Sequence, residues 1–173
     1  MEADCLYGLP FLKCIFANAM ENLHSNVSRK AQELLQQYML RKTNCRLEVL
    51  ALLLQHNHAL AHSDIERQLG DRYDRVTLYR TLHSFEEKGL VHSINDVSGV
   101  VKYALCQEAC DQHQHHDNHI HFNCTSCGQT FCLNEVNVPA PALPAGYRVQ
   151  SLHFSARGIC RACANMASSA LTA

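Results

Sequence analysis

Two Cys-x-x-Cys pairs, Cys124-Thr-Ser-Cys127 and Cys160-Arg-Ala-Cys163, carry the clearest chemistry in this chain. A pair at this spacing wraps two thiolates around one metal ion from a tight turn, and two such pairs complete a tetrahedral four-cysteine zinc site. Gly128 directly after the first pair and Gly158 just before the second permit the φ > 0 turns that such knuckles use. Two disulfides, or unconnected core cysteines, are the competing readings. Recurrence of the pair within one short segment favours zinc. A closed all-thiolate site has no open position for a substrate, so its task is to hold a fold together. The function must be sought in other residues.

His119 and His121 offer a second kind of chemistry. They alternate on an expected strand, so both imidazoles point to one side and can grip one ion. The competing reading is a pair of hydrogen-bonded surface histidines.

The chain has 173 residues, room for one ordinary domain or two small ones. Ten cysteines fit either an oxidised secreted scaffold or a reduced metalloprotein. Paired spacing and twelve histidines favour the second, hence a cytoplasmic location. The net charge of −1 advertises no basic tail. Residues 28–105 nevertheless carry 11 Lys and Arg against 9 Asp and Glu, while both flanks are acidic. No run reaches the roughly 18 apolar residues that would span a membrane. Residues 9–20 are apolar, but Lys13 interrupts them and the segment before them is acidic, which argues against an export signal. A poorly ordered extension over 1–28, or a start at Met20, fits better.

The elements that must position these groups follow from periodicity. Ala31, Leu34, Leu35, Tyr38 and Met39 mark one apolar helix face, and Leu47, Leu50, Ala51 and Leu54 mark a second. A third, short helix opens at the capping-box pattern Ser63-Asp-Ile-Glu66, with Ile65 and Leu69 inward and Gly70 ending it. A fourth runs from Asp74 to Lys88 on the stripe Leu78, Leu82 and Phe85, and Gly89-Leu90 stops it. Arg80 lies almost opposite that stripe, flanked by Thr77 and Tyr79. Val91–Ile94, a polar turn and Val100–Leu105 then read as a β-hairpin. Three helices, a further helix with a polar face and a two-stranded hairpin make a winged helix-turn-helix, whose fourth helix enters a major groove. A Cys/His-rich connector, containing Cys106, Cys110 and the His113–His116 cluster, leads to short strands expected at His119–Asn123, Gln129–Leu133 and Tyr147–Ala156. Prolines 139, 141 and 144 predict a loop before the last strand, with a helix beginning near Pro141 as the alternative.

The order of these motifs resembles the ferric uptake regulator (Fur) family of metal-dependent transcriptional repressors, in a divergent, Zur-like form, over roughly residues 29–164. The residues that carry the resemblance are Thr43-x-x-Arg46 with Val49-Leu50, Ser63-Asp-Ile65 and Val76-Thr-Leu-Tyr-Arg-Thr-Leu82. Gly89-Leu-Val91, the hairpin, His119-x-His121-x-x-Cys124-x-x-Cys127-Gly128 and Gly158-Ile-Cys160-x-x-Cys163 complete it. The resemblance implies an α+β homodimer with no enzymatic role: a winged helix-turn-helix over 29–105, a hinge over 106–118, a small α/β dimerisation domain with the four-cysteine zinc over 119–165, and a tail over 166–173. Its partner is double-stranded operator DNA, and no membrane is involved.

What the resemblance implies for single residues is more uneven. Tyr79 and Arg80 fall on the recognition helix, Arg suited to guanine or phosphate and Tyr to a thymine methyl, with a solvated helix face as the bland reading. Thr77 flanks them, Arg46 meets the DNA backbone, and Arg41 or Lys42 reaches the neighbouring minor groove. The sensory metal set is altered. Ala104 stands where the family has a carboxylate, Cys132 replaces another, His58 and His62 flank the place of an expected histidine, and Leu152 beside His153 stands for a distal one. The expected regulatory ligands are therefore His119, His121 and Cys132 with His62 or His58; Cys106, Cys110 and His113–His116 are substitutes or a solvated loop. A thiolate in place of carboxylates shifts preference toward Zn²⁺ and away from Fe²⁺ or Mn²⁺. A peroxide-sensing repressor is the alternative, and a zinc hydrolase is disfavoured because no H-E-x-x-H or H-x-E pattern exists. Cys5, Cys14 and Cys45 show no partner, with Cys45 expected in the core.

Overall fold

The computed structural model describes residues 25–96, 99–106, 119–136, 138–139, 142–149 and 152–170, of which 167–170 by backbone alone. The N-terminal extension with Cys5 and Cys14, most of the connector with Cys110 and His113–His116, and Pro141 lie outside the described residues.

The N-terminal half is built from four helices and a small sheet. Helix α1 (residues 25–37) buries Ala31 and Leu35, with Leu34 and Tyr38 packed against the same core. Met39 leaves the expected face: it is exposed at φ +53, because the helix ends and Leu40 N–H bonds back to Leu35 C=O at 2.8 Å. Helix α2 (Asn44–Gln55) starts at Thr43, whose side chain accepts from Arg46 N–H. It buries Cys45, Val49, Leu50 and Leu53, so its inward face is rotated from the expected Leu47/Leu50/Ala51/Leu54 stripe. The segment is apolar nearly all round, and periodicity alone does not choose a face there.

A two-residue strand, β1 (Leu60–Ala61), precedes helix α3 (His62–Leu69). The helix begins one residue before the expected Ser63 cap. Asp64 reaches back to Ala61 N–H at 3.1 Å and satisfies that end, so Ser63 is helical. Helix α4 (Arg75–Glu87) is capped by Asp74, whose carboxylate accepts from Thr77 N–H and hydroxyl at 2.8 and 2.7 Å. It buries Leu78, Thr81, Leu82 and Phe85. Three fully buried apolar side chains at about 1.5–3 kcal/mol each outweigh a cap of about 1 kcal/mol, so packing fixes which face of α4 looks outward. Gly89 at φ +71 turns the chain into β2 (Val91–Asn95), which pairs with β3 (Val101–Leu105). The wing has three strands, not two, because β1 adds to β3 in the order β1-β3-β2.

The C-terminal half is a second three-stranded sheet of β4 (Ile120–Cys124), β5 (Thr130–Leu133) and β6 (Phe154–Gly158) in the order β5-β4-β6, followed by helix α5 (Arg161–Ala170). β4 is antiparallel to β5 and parallel to β6. β6 begins later than the expected Tyr147, and residues 147–149 lie outside any strand and are exposed. The helix after Cys160 was not expected; Ala-rich and short, it lacks an apolar stripe long enough to read.

Candidate metal centres

The first centre joins two turns. Gly128 at φ +71 lets the β4–β5 turn fold back so that its N–H bonds to Cys124 C=O at 3.0 Å, which brings Cys127 over Cys124. Parallel pairing of Cys124 with Gly158 sets the end of β6 alongside, and Cys160 stands just before α5 with Cys163 on its first turn. Gly158 is needed for close approach rather than for a positive φ: a Cβ there would stand 3.2 Å from the Phe122 ring.

The Sγ atoms of Cys124 and Cys163, and of Cys127 and Cys160, lie 3.9 Å apart, and all four fall within 4.8 Å of one another. A tetrahedral ion at about 2.3 Å from each sulfur needs sulfurs about 3.8 Å apart, so the set fits zinc. Neither pair is a disulfide, and all four cysteines are free. The electrostatics call for a cation. The N–H groups of Cys127 and Cys160 pull the Cys124 thiol down to about 6. Cys163 rises to about 11: a hydrogen bond from Ser126 lowers it, but Cys160, desolvation and the other two thiols outweigh that. Four thiols this close cannot all ionise without a dication between them.

The second centre was only partly foreseen. His121 on β4 stands directly opposite Cys132 on β5, so both side chains leave one face of the sheet. His119, two residues earlier, leaves the same face, and its Nε2 lies 3.0 Å from His121 Nε2. The fourth member is His92, the second residue of β2 in the wing. Its Nε2 is 3.4 Å from Cys132 Sγ, and its ring stacks on His121 at 5.3 Å and 20°. His92, His119, His121 and Cys132 offer four donor atoms within 4.8 Å. Around a tetrahedral zinc, neighbouring donors would be about 3.3 Å (N–N) and 3.6 Å (N–S) apart, so this set fits zinc also. His92 and His121 are buried, at 3% and 5% exposure. The other nitrogen of His92 faces Cys106 Sγ at 3.5 Å, a second thiol at the edge of the cluster.

Neither His62 nor His58 joins it. His62, the first residue of α3, turns its Nε2 to Arg75 C=O at 3.2 Å and so ties α3 to the start of α4. His58 contacts Asn57 and Gln129, and burial, with His56 beside it, pushes its pKa below the usual histidine value. A cavity of about 380 Å³ lined by His58, Cys106 and Cys132 among others puts His58 near the centre without entering it. His92 was missed although a signal existed. It pairs with Ala104 across the β2–β3 ladder, and the vacancy noted at 104 is filled from the opposite strand.

On α4, Tyr79 is 54% exposed and meets the His83 ring edge-on, and Arg80 is exposed with no hydrogen-bond or ion-pair partner among the described residues. Arg41 is likewise exposed. Two other expected DNA contacts are engaged within the protein. The Thr77 hydroxyl serves the Asp74 cap, and the Arg46 guanidinium donates to Arg41 C=O at 3.0 Å and Ser84 Oγ at 3.3 Å, bracing α2 against α4. His153 is exposed at the start of β6 and belongs to neither cluster.

Comparison with known proteins agrees with this architecture. The ferric uptake regulation protein of Shigella flexneri is 30% identical over 105 residues, 58% of this chain and 66%, just under two thirds, of that protein. The ferric uptake regulation protein of Neisseria gonorrhoeae is 29% identical over 132 residues, 72% of this chain and 86% of that one. Among solved structures, a zinc uptake regulator complexed with zinc and DNA shares the fold, with a TM-score of 0.56 at 24% identity over 84% of this chain and 97% of its own. The model of the ferric uptake regulator family matches residues 37–142, well over half of the sequence, and the chain belongs to that family.

Proposed function

We propose that this chain is a zinc-responsive DNA-binding repressor that acts as a homodimer. The observation that carries the reading is the convergence of His92, from the wing, with His119, His121 and Cys132, from the second sheet, on one point. An ion held there would have ligands from both halves, so its binding favours one orientation of the DNA-reading half over others. The four-cysteine centre would stay filled throughout. The outward face of α4, with Tyr79 and Arg80 exposed, suits the major groove, and Arg41 suits the flanking backbone or minor groove. Exposed Tyr147, Val149, Ile159 and Met166 give the second half an apolar surface consistent with a second copy.

Three imidazoles and a thiolate favour Zn²⁺ over Mn²⁺ or Fe²⁺. Four protein donors leave no open position, and no carboxylate stands among them, which supports regulation over hydrolysis. Peroxide sensing is the second reading, favoured by one observation: Cys132 is a thiol within the cluster itself and only half-buried.

The test is operator binding by fluorescence anisotropy with Zn²⁺, Mn²⁺, Fe²⁺ or a chelator, before and after peroxide. Zinc-dependent binding, insensitive to brief peroxide, is expected. Binding that is equal with chelator and with metal would sink the sensory reading; binding abolished by peroxide and restored by reductant would favour the second.

A further inference from the structure

The two halves touch at a second point that uses no metal. Lys102 on β3 is only 8% exposed, yet its ammonium has three oxygen partners. It donates to Gly128 C=O at 2.7 Å and to Thr130 Oγ1 at 3.0 Å, and pairs with Asp96 Oδ2 at 3.0 Å. Asp96 organises the wing's turn: its N–H and Oδ1 both bond to Val100, and its C=O accepts from Gly99. Gly128 belongs to the four-cysteine knuckle. Thr130 Oγ1 passes the connection on to Asn123 at 2.9 Å, and Asn123 to Ser155 at 3.2 Å. Ala59 N–H, just before β1, adds a bond to Thr130 C=O at 2.8 Å. One chain of hydrogen bonds thus runs from the wing turn through Lys102 into all three strands of the second sheet.

The position of this attachment relative to the mixed His/Cys cluster gives it a consequence. Lys102 pairs with Ile94 on β2, and His92 lies two residues along the same strand, about 7 Å away. On the facing side Thr130 and Cys132 are likewise two residues, about 7 Å, apart on β5. The Lys102–Thr130 and His92–Cys132 contacts are therefore two attachments in matching register. A single attachment leaves two bodies free to swivel; two fix their rotation. The Lys102 attachment is hard to slip, because displacing it takes from a buried ammonium two of its three oxygen partners, Gly128 C=O and Thr130 Oγ1, and leaves it only Asp96. It can serve as a pivot.

Resting on the metal-responsive reading above, we propose that Lys102, held by Asp96, is a positioning residue for the switch: the pivot about which the wing turns until an ion at His92, His119, His121 and Cys132 stops it. The pivot converts a bond at one point into a defined orientation of α4. Without it, metal would still bind its four donors but would no longer constrain the DNA-reading half.

Reciprocal linkage provides the test. The Zn²⁺ affinity of the mixed cluster is measured calorimetrically on full-length protein with its structural zinc in place, with and without an operator duplex selected against the zinc-loaded wild type. The wild type should bind Zn²⁺ roughly 10–100-fold more tightly on DNA than off it. In Lys102→Met, and in the gentler Asp96→Asn, affinity off DNA should be unchanged while the on/off ratio falls toward one. A merely structural role would lower the melting temperature and leave that ratio at its wild-type value, which overturns the proposal. Should Lys102→Met fail to fold, Asp96→Asn decides alone. A wild-type ratio of one overturns the metal-responsive reading and the pivot with it, whereas a normal wild-type ratio with unaffected variants overturns only the pivot.

Discussion

The two metal clusters are made from similar donors, yet their ligands come from different places. The four thiols all belong to the second half, from the β4–β5 turn and the β6–α5 junction, and their carriers are knit by Thr125 N–H to Gly158 C=O at 2.7 Å. The mixed cluster takes three donors from that same half and the fourth, His92, from the wing. Ligands drawn from one rigid unit make a staple, because occupancy and folding are the same event. Ligands drawn from two units make occupancy and relative orientation the same event. Donor chemistry selects the ion in either case; ligand provenance decides what the ion does.

The largest test of that contrast is Cys124→Ser. It should release the structural zinc and unfold the second half, since zinc binding in such sites is worth about 10–16 kcal/mol and is coupled to folding. Zinc analysis and circular dichroism check it, and a variant that keeps its zinc and its fold breaks the comparison. Acid should act on the same cluster. The Cys124 thiolate is favoured in the folded chain, with its pKa lowered to about 6. Its stabilising contribution is therefore full above the ordinary thiol value near 8.5 and is lost as pH falls through about 6. Because protons compete with zinc for all four thiolates, zinc release, followed with a chromogenic chelator, should increase as the pH falls. Release that does not change on acidification would contradict a thiolate site.

The mixed cluster should respond differently. His92→Ala should keep the structural zinc and the fold but weaken the second zinc by more than the 10–100-fold typical of outer partners, while His62→Ala leaves that affinity unchanged. Equal losses in both variants, measured by competition with a zinc dye, would return His62 to the ligand set. The smallest effects are expected on α4. Arg80→Ala and Tyr79→Ala should each cost about 1–3 kcal/mol of operator binding per half-site with both metals in place. A salt titration showing no change in either variant would move the DNA-reading surface elsewhere.

Much of this architecture is legible in the sequence because it depends on local signals. The α4 stripe of Leu78, Leu82 and Phe85, the stop at Gly89 and the two Cys-x-x-Cys pairs are each decided within a few residues. His119 and His121 were legible because they alternate on one strand, whereas Cys132 was implied by the family resemblance, which places a metal carboxylate at that position. What escaped is non-local. His92 is an unremarked residue in a short strand until β2 is laid against β5, and Lys102 reads as surface charge until Asp96 and Gly128 close on it. The strand β1 is two residues long and exists only as a partner of β3, so no periodicity could announce it. The intramolecular partners of Arg46 and Thr77, Ser84 and Asp74, likewise become apparent only in three dimensions or in the details of a cap.

The parallel pairing of β4 with β6 has a consequence for how the chain is made. Cys127 and Cys160 are 33 residues apart in sequence, and everything between them must be synthesised and closed into a loop before the two cysteine pairs can meet. Closing a parallel ladder over that distance is slow compared with forming the helices of the N-terminal half. The helical half can therefore form while the second half still waits for its ion. Without zinc the helical half would then be complete while the two cysteine pairs are still apart.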